Sequence, residues 1–533
     1  MGLLTLVEDR PTPKAVYNWR VYAAASVASW ASCMIGYDSA FIGTTLALPS
    51  FVKEFKLGPK QMPAAELALT KANIVSVYQA GAFFGAFGAY VSSHYIGRKN
   101  SLLLWASIFM VGAGIMLGAN GDRGLGLIIG GRVLAGLGVG GCSNMVPIYI
   151  SELSPPAVRG RLVGIYELGW QIGGLVGFWI NYGLSETMAS TRKQWQIPFA
   201  VQLIPGGCLL LGALWLKESP RWLFANNKRE QALKNLSWIR NLPADHPYIL
   251  EEVEAIEAQV EHDRIHVGAG FWKPFLALKQ KKVALRLLLG GTLFLWQNGS
   301  GINAINYYSP TVFKSIGITG TNTGFLTTGI FGVVKTILTL IWLFWLIDNL
   351  GRTKLLMFGA LGGSLCMWYI AAYIKIANPT KHPTTNLSSG GISAMFFFYL
   401  WTAFYTPSWN GTPWVINSEM YSQQTRSLGQ AYAAANNWFW NFIISRFTPQ
   451  MFLKMNYGVY MFFASLMLLS IPYVFFLIPE TKGVPLEKMD ELFEIKPRYK
   501  AHSILVRRLE EVDHDNLAFN SEKTKTDERV ESV

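Results

Sequence analysis

Cysteine is scarce in this chain of 533 residues: there are four, Cys33, Cys142, Cys208 and Cys366, each inside a long apolar stretch. Thiols placed in that way build no disulfide framework. Charge is scarce as well, at 15% of residues. No grouping of His, Cys, Asp and Glu has metal-ligand spacing, and no nucleophile, base and orienting residue form a set, so neither a metal site nor an enzyme is expected. What the chain has in quantity is apolar surface. It is 51% hydrophobic and 14% aromatic, with a mean hydropathy of +0.26, which is not the composition of a soluble domain.

Apolar runs of about 20 residues, the length that crosses a hydrocarbon core, recur along the sequence. Twelve spans are expected, at 21 to 42, 72 to 93, 101 to 119, 125 to 148, 162 to 184, 196 to 216, 285 to 308, 324 to 347, 354 to 376, 390 to 418, 427 to 448 and 457 to 478. The first is too long for the core of a signal peptide and is expected to stay in the protein.

The net charge of +13 raises the possibility of a nucleic-acid partner, but the placement of the charges argues against one. With both termini in the cytoplasm, and with Arg286, Lys354 and Lys375 at span ends counted with the side they adjoin, 32 of the 46 Lys and Arg fall on that side, 11 outside and 3 within spans. That is the positive-inside bias of a multi-pass protein, expected here at the plasma membrane, whose macroscopic partner is the bilayer. The sequence carries no signature of an oligomeric state.

The chain also repeats itself. IGRKN follows the second span and LGRTK the eighth; SELSPPAVRG follows the fourth and SEMYSQQTRS the tenth; KESPR follows the sixth and PETKG the twelfth. The offsets between partners are 254, 267 and 262 residues. Three matches in order define two six-helix halves, 21 to 216 and 285 to 478, with a site expected between them at mid-membrane. Around them lie an N-terminal segment, 1 to 20, a basic helical loop, 217 to 284, and a tail from 479 to 533, all expected in the cytoplasm.

These motifs, with GYD at 36 to 38, GGRVLAGLGVGG at 130 to 141, QNGSGINAINYYS at 297 to 309 and TPWVINSEM at 412 to 420, resemble the sugar porter branch of the major facilitator superfamily over essentially the whole chain. Stretches such as SCMIGYDSAFIGTTLALPSF and YTPSWNGTPWVINSEM are similar to its quinate permease branch. The resemblance implies an all-α membrane protein of twelve spans, alternating access, a small-molecule substrate, and no cofactor beyond a proton gradient. It also implies that Gln171, Trp414 and Asn437 line the substrate site. Departures from the hexose pattern are a Gln297-Asn298 pair in place of two glutamines, Thr406 in place of a glutamate, and His94-Tyr95 at the start of the loop that ends in Gly97-Arg98, although Asp348 is kept in the second half.

Charges inside spans cost roughly 2.5 to 3.5 kcal/mol when they face lipid, so they are expected to face the bundle interior. Asp38 and Arg132 suit each other, either as a structural ion pair or, as the resemblance implies, as a proton switch that opens when the carboxylate is protonated. In the seventh span Gln297, Asn298, Asn303 and Asn306 do not share one face of a straight helix, and Gly299 and Gly301 between them predict local unwinding along a cavity. Amides suit a hydroxyl-rich ligand because each is both donor and acceptor.

Lys335 is the sharpest departure, because the sugar porter pattern has an asparagine after GVV. It lies about 11 residues, roughly 16 Å, from the outer end of the eighth span, and it shares a face with Thr328, Gly332 and Thr339. Two partners are open to it: Asp38 across the cavity, or a carboxylate on the substrate. The second fits a hydroxylated cyclic carboxylate such as quinate or shikimate. A proton-linked hexose or pentose transporter and a non-transporting nutrient sensor are the other readings. At the cytoplasmic end, Glu152, Arg159, Glu218 and Arg221 of the first half and Glu419, Arg426 and Glu480 of the second are expected to form gating pairs.

Overall fold

A computed structural model of the chain describes residues 12–155, 158–266, 270–318, 320–346, 350–379, 388–421, 426–482, 484 and 489–508. Asp348 and the tail beyond 508 lie outside them. Among the described residues the regular structure is helical, apart from one isolated bridge between Asn120 and Gly124. The apolar runs become helices because a bilayer offers backbone N–H and C=O groups no partner but one another.

The first, fourth and fifth spans are unbroken helices, Trp19–Thr45, Gly126–Leu153 and Arg159–Thr187, and the sixth is Arg192–Val201 followed by Leu203–Trp215. The second and third run together as Ala64–Leu117, 54 residues in length. At 1.5 Å per residue that is about 80 Å, more than twice a hydrocarbon core, so it must turn back. The turn is at Gly97, whose φ of 86° is open to glycine and strained for other residues. Gly351, also at φ 86°, plays the same part before the ninth span, Arg352–Ala377.

In the second half the spans are more often interrupted. The seventh is Lys281–Gly299 and Ile302–Ser315, broken at Gly301 with φ 89°, where the glycines predict unwinding. The eighth, Thr321–Ile341, ends in a π-helical turn at Trp342–Leu346. The tenth is Ser389–Tyr405, a π-helical turn at Thr406–Asn410, and Thr412–Met420. The eleventh and twelfth are Arg426–Met455 and Gly458–Leu477. Large apolar side chains such as Phe84, Leu211, Phe358 and Leu365 point outward and are more than 60% exposed, as lipid-facing positions require.

Two large cores correspond to the two halves, and they interpenetrate. The first includes Tyr307, Phe325 and Trp438 from the second half, and the second includes Ala40 and Phe178 from the first. Trp414 packs against both. The loop between the halves folds as Pro220–Ala225, Arg229–Arg240 and Pro247–His266 around its own small core, onto which Val16 docks. Arg240 ties it to the first half by donating to the Leu153 carbonyl at 2.6 Å while it pairs with Glu252.

Candidate substrate cavity and the charged helix ends

Asp38 and Arg132 face each other, as their depth in the first and fourth spans demands. Arg132 Nη1 donates to Asp38 Oδ1 at 3.0 Å, and both side chains are wholly buried. The guanidinium lies over the Tyr78 ring, 4.8 Å from its centre. Asp38 Oδ2 and Arg132 Nε and Nη2 have no hydrogen-bond partner among the described residues. A pair joined by a single hydrogen bond leaves much of its potential unmet, and such groups call for a functional explanation.

Lys335 lies on the buried face of the eighth span with Thr328 and Thr339, while Ile337 and Phe344 on the opposite face are 52% and 50% exposed. It enters a cavity between the halves lined by Gly36, Ser39, Trp170, Gln171, Asn306 and Lys335 among others. Asp38 is taken by Arg132, so the pairing of Lys335 with Asp38 is not what this structure contains. Among the described residues no hydrogen bond or ion pair within 4.0 Å reaches the Lys335 ammonium. The acid with which it interacts electrostatically is Glu167 of the fifth span. Glu167 Oε1 accepts from Gln171 Nε2 at 3.0 Å and from Asn410 Nδ2 of the tenth span at 3.1 Å.

Glu167 is the residue that the sequence reading overlooked. Its signal was there, a carboxylate in the apolar run IYELGWQIGG, and the rule that flags Asp38 and Lys335 applies to it equally.

The predicted amides divide into two groups. Gln171 and Asn306 line the cavity, with Asn306 Oδ1 unpartnered among the described residues. Gln297 is not among the cavity-lining residues; its Nε2 donates at 2.8 Å to the carbonyls of Trp409 and Asn410, which the π-helical turn and Pro413 free from the helix ladder, and Asn410 leads on through Glu167 to Gln171. Asn298, Asn303 and Asn437 form a cluster of their own: Asn298 Nδ2 donates to Asn437 Oδ1 at 3.3 Å, and Asn303 donates to Asn298. Trp414 meets Phe294 edge-on at 4.7 Å.

At the basic end of the bundle the repeat becomes geometry. Arg98 grips Glu152 with Nε and Nη2, at 2.9 and 2.8 Å, and Ser219 Oγ donates to the same carboxylate. Glu218 accepts the backbone N–H groups of Arg98, Lys99 and Ser219. In the second half Glu419 accepts from Arg352 Nη2 at 3.0 Å and from the Thr481 hydroxyl at 2.6 Å, while Glu480 accepts from the N–H groups of Arg352, Thr353 and Lys482. A carboxylate at a fresh helix N-terminus is stabilised by unpaired N–H groups and the helix dipole. The partners are thus Arg98 and Arg352, each joining helices of its own half. Arg221 lies close enough to Glu152 to act on it electrostatically. The side chains of Arg159 and Arg426 are outside the described residues.

The two carboxylates past the sixth and twelfth spans differ. Burial pushes Glu218 above its ordinary value of 4.5, and the three N–H bonds and Arg98 only partly oppose it. Burial also acts on Glu480, but there the bonds from Arg352, Thr353 and Lys482, including the Thr353 hydroxyl, prevail and hold it below 4.5.

Two pseudo-repeated helical bundles enclosing a polar cavity, with broken helices along it, define a secondary transporter of the major facilitator type. The comparisons agree. The family described as "Sugar (and other) transporter" matches residues 24–493, and the chain belongs to that family. The "Quinate permease" of Neurospora terricola is 71% identical over 96% of this chain and 95% of its own, and that of Neurospora africana 70% over the same shares. Such identity places the chain in the quinate permease group of the sugar porters. Among solved structures, the proton:xylose symporter XylE bound to 6-bromo-6-deoxy-D-glucose matches with a TM-score of 0.72 and 26% identity, covering 89% of this chain and 99% of XylE. The chain is therefore a membrane transporter and not an enzyme.

Proposed function

We propose that the chain is a proton-coupled symporter that imports quinate, or a closely related hydroxylated cyclic carboxylate, by alternating access across the plasma membrane with both termini in the cytoplasm. The observation that carries this reading is Lys335: a buried ammonium at the cavity wall, without a hydrogen-bonded protein partner among the described residues. A buried cation without a bonded partner is costly, so an anionic ligand that supplies one is favoured over a neutral ligand of the same shape. Gln171, Asn306, Gln297 and the Asn298, Asn303 and Asn437 cluster supply donors and acceptors for ring hydroxyls, and Trp414 an apolar face. The names carried by the relatives point the same way.

Asp38 and Arg132 are the coupling pair in this reading. Protonation of Asp38 removes the charge that holds Arg132, and the unmet hydrogen-bonding atoms around them ease that release. No cofactor enters; the proton gradient is the driving force. Glu152, Glu218, Glu419 and Glu480, with Arg98, Arg352 and Arg221, fix the cytoplasmic helix ends of each half and so set how the two halves meet when that side closes. Arg159 and Arg426 are proposed to join them.

A second reading, a proton-linked pentose or hexose carrier, is favoured by the similarity to the xylose symporter. Uptake of labelled quinate in cells that express this chain alone separates the two. Quinate uptake that is abolished by a proton uncoupler and is not displaced by excess xylose or glucose supports the first reading. Sugar uptake without quinate uptake overturns it.

A further inference from the structure

Resting on Lys335 as the carboxylate site, we propose that Glu167, bonded to the cavity-lining Gln171, is a second proton-carrying group beside the cavity, charged when the carrier is empty and protonated when an anionic substrate is bound. Glu167 and Lys335 stand on opposite halves of the protein, on the fifth and eighth spans. They interact electrostatically without closing to an ion pair within 4.0 Å. Glu167 Oε1 is held by Gln171 and Asn410, whereas Oε2 makes no hydrogen bond among the described residues. The position of the carboxyl group is therefore fixed by amides, not by the lysine, and it stays in place when the lysine turns to another partner.

Charge balance then decides the protonation state. In the empty cavity one ammonium faces one carboxylate. A substrate carboxylate bound at Lys335 brings a second negative charge to the same low-dielectric space, and two carboxylates around one cation are not both held ionised there. A proton from the outer solution bonds to Glu167 and restores neutrality, and it is released when the substrate leaves on the other side. No electron pair is exchanged with the ligand.

Among the described residues, Lys335 is the one charged group that acts on Glu167. The eighth span contributes Lys335, the tenth Asn410 and Tyr405, its own helix Tyr166 and Gln171, and the fourth Cys142 next to Tyr166. The first span presents Asp38 to Arg132 and Tyr78 instead.

The test is quinate binding to the purified full-length protein between pH 5 and 8, a range in which a carboxylic acid of ordinary strength is ionised throughout. Wild type should bind quinate more weakly as pH rises, by up to tenfold per unit for each coupled proton, and should take up protons from a weakly buffered solution on binding. Glu167→Gln should lose one proton of that linkage and bind more tightly than wild type at pH 8. Glu167→Asp, which still titrates, should restore it. Equal pH dependence in wild type and Glu167→Gln, with equal proton uptake, overturns the proposal while leaving the carboxylate site in place. Where neither variant folds, quinate binding to wild type without proton uptake overturns it just as firmly. Failure of the underlying reading looks different, since Lys335→Asn would then bind quinate as well as wild type does.

Discussion

Lys335→Asn is the most direct probe of the cavity. Lys335 is 7% exposed, its ammonium has no hydrogen-bonded protein partner among the described residues, and it lines the same space as Gln171 and Asn306. A charge-assisted hydrogen bond to a substrate carboxylate contributes about 1.5 to 3 kcal/mol, so the variant should bind quinate roughly 10- to 150-fold more weakly. Glu167 adds to the loss at neutral pH, because without the lysine it meets the substrate anion as an uncompensated like charge. The defect should therefore shrink as pH falls toward 5. Neutral sugars should lose nothing and gain modestly, since no unpaired cation opposes them. Lys335→Arg should rescue in part at best, its planar fork needing more room than a lysine. The assay is counterflow of labelled quinate in proteoliposomes at several pH values, with xylose as the neutral control and protein amount matched. Unchanged quinate affinity in Lys335→Asn refutes the carboxylate site and returns the chain to the sugar reading.

Asp38→Asn should abolish accumulation against a gradient while sparing exchange, because the cavity stays intact when the coupling carboxylate is gone; uncoupler-sensitive accumulation by this variant would place the coupling elsewhere. Glu480→Gln should lower thermal stability at pH 7 more than Glu218→Gln does, by about 1 to 3 kcal/mol, the worth of charged hydrogen bonds. The sign follows from the shifts: Glu480, held below 4.5, contributes above its unfolded value and loses that contribution only as pH falls below 4.5, whereas Glu218, pushed above 4.5, protonates first. A thermal-shift series from pH 7 to 4 in which Glu480→Gln never differs from wild type contradicts this.

Much of the fold was legible because the bilayer makes sequence signals coarse and strong. Runs of fixed length give spans, and GRK against GRT with the glutamates that follow gives the two halves. The break at Gly301 was legible too, since two glycines among amides leave a helix little reason to continue. Harder to read were the positions where a partner comes from a distant span. The expected gating set does not include Arg98, yet the Glu152 carboxylate is gripped by Arg98, 54 residues away. Nothing local records that the loop after the second span folds under the end of the fourth. The π-helical turn at Thr406–Asn410 was likewise invisible, although it frees the carbonyls that Gln297 uses. Glu167 was legible and was missed, masked by the Gln171 beside it.

The two buried acid and base pairs are placed differently, and that difference bears on how binding could drive motion. Asp38 and Arg132 belong to the same half, so rocking of one half on the other leaves their separation unchanged. Their protonation can alter the packing of one bundle, but on its own it does not pull the bundles together. Glu167 and Lys335 face each other across the halves, and Glu167 is further joined through Asn410 to the π-helical turn whose carbonyls hold Gln297. Rocking stretches or shortens that contact directly. A ligand can shift such an equilibrium only by the difference in its affinity for the two states. A carboxylate seated on Lys335 with its ring hydroxyls on Asn306 and Gln171 spans both halves, so its affinity depends on their separation. A neutral ring lacks the strongest of those contacts and leaves the empty carrier's charge pair in place. In this arrangement the lysine contributes to selectivity and, through the same contact, to the coupling of binding to closure.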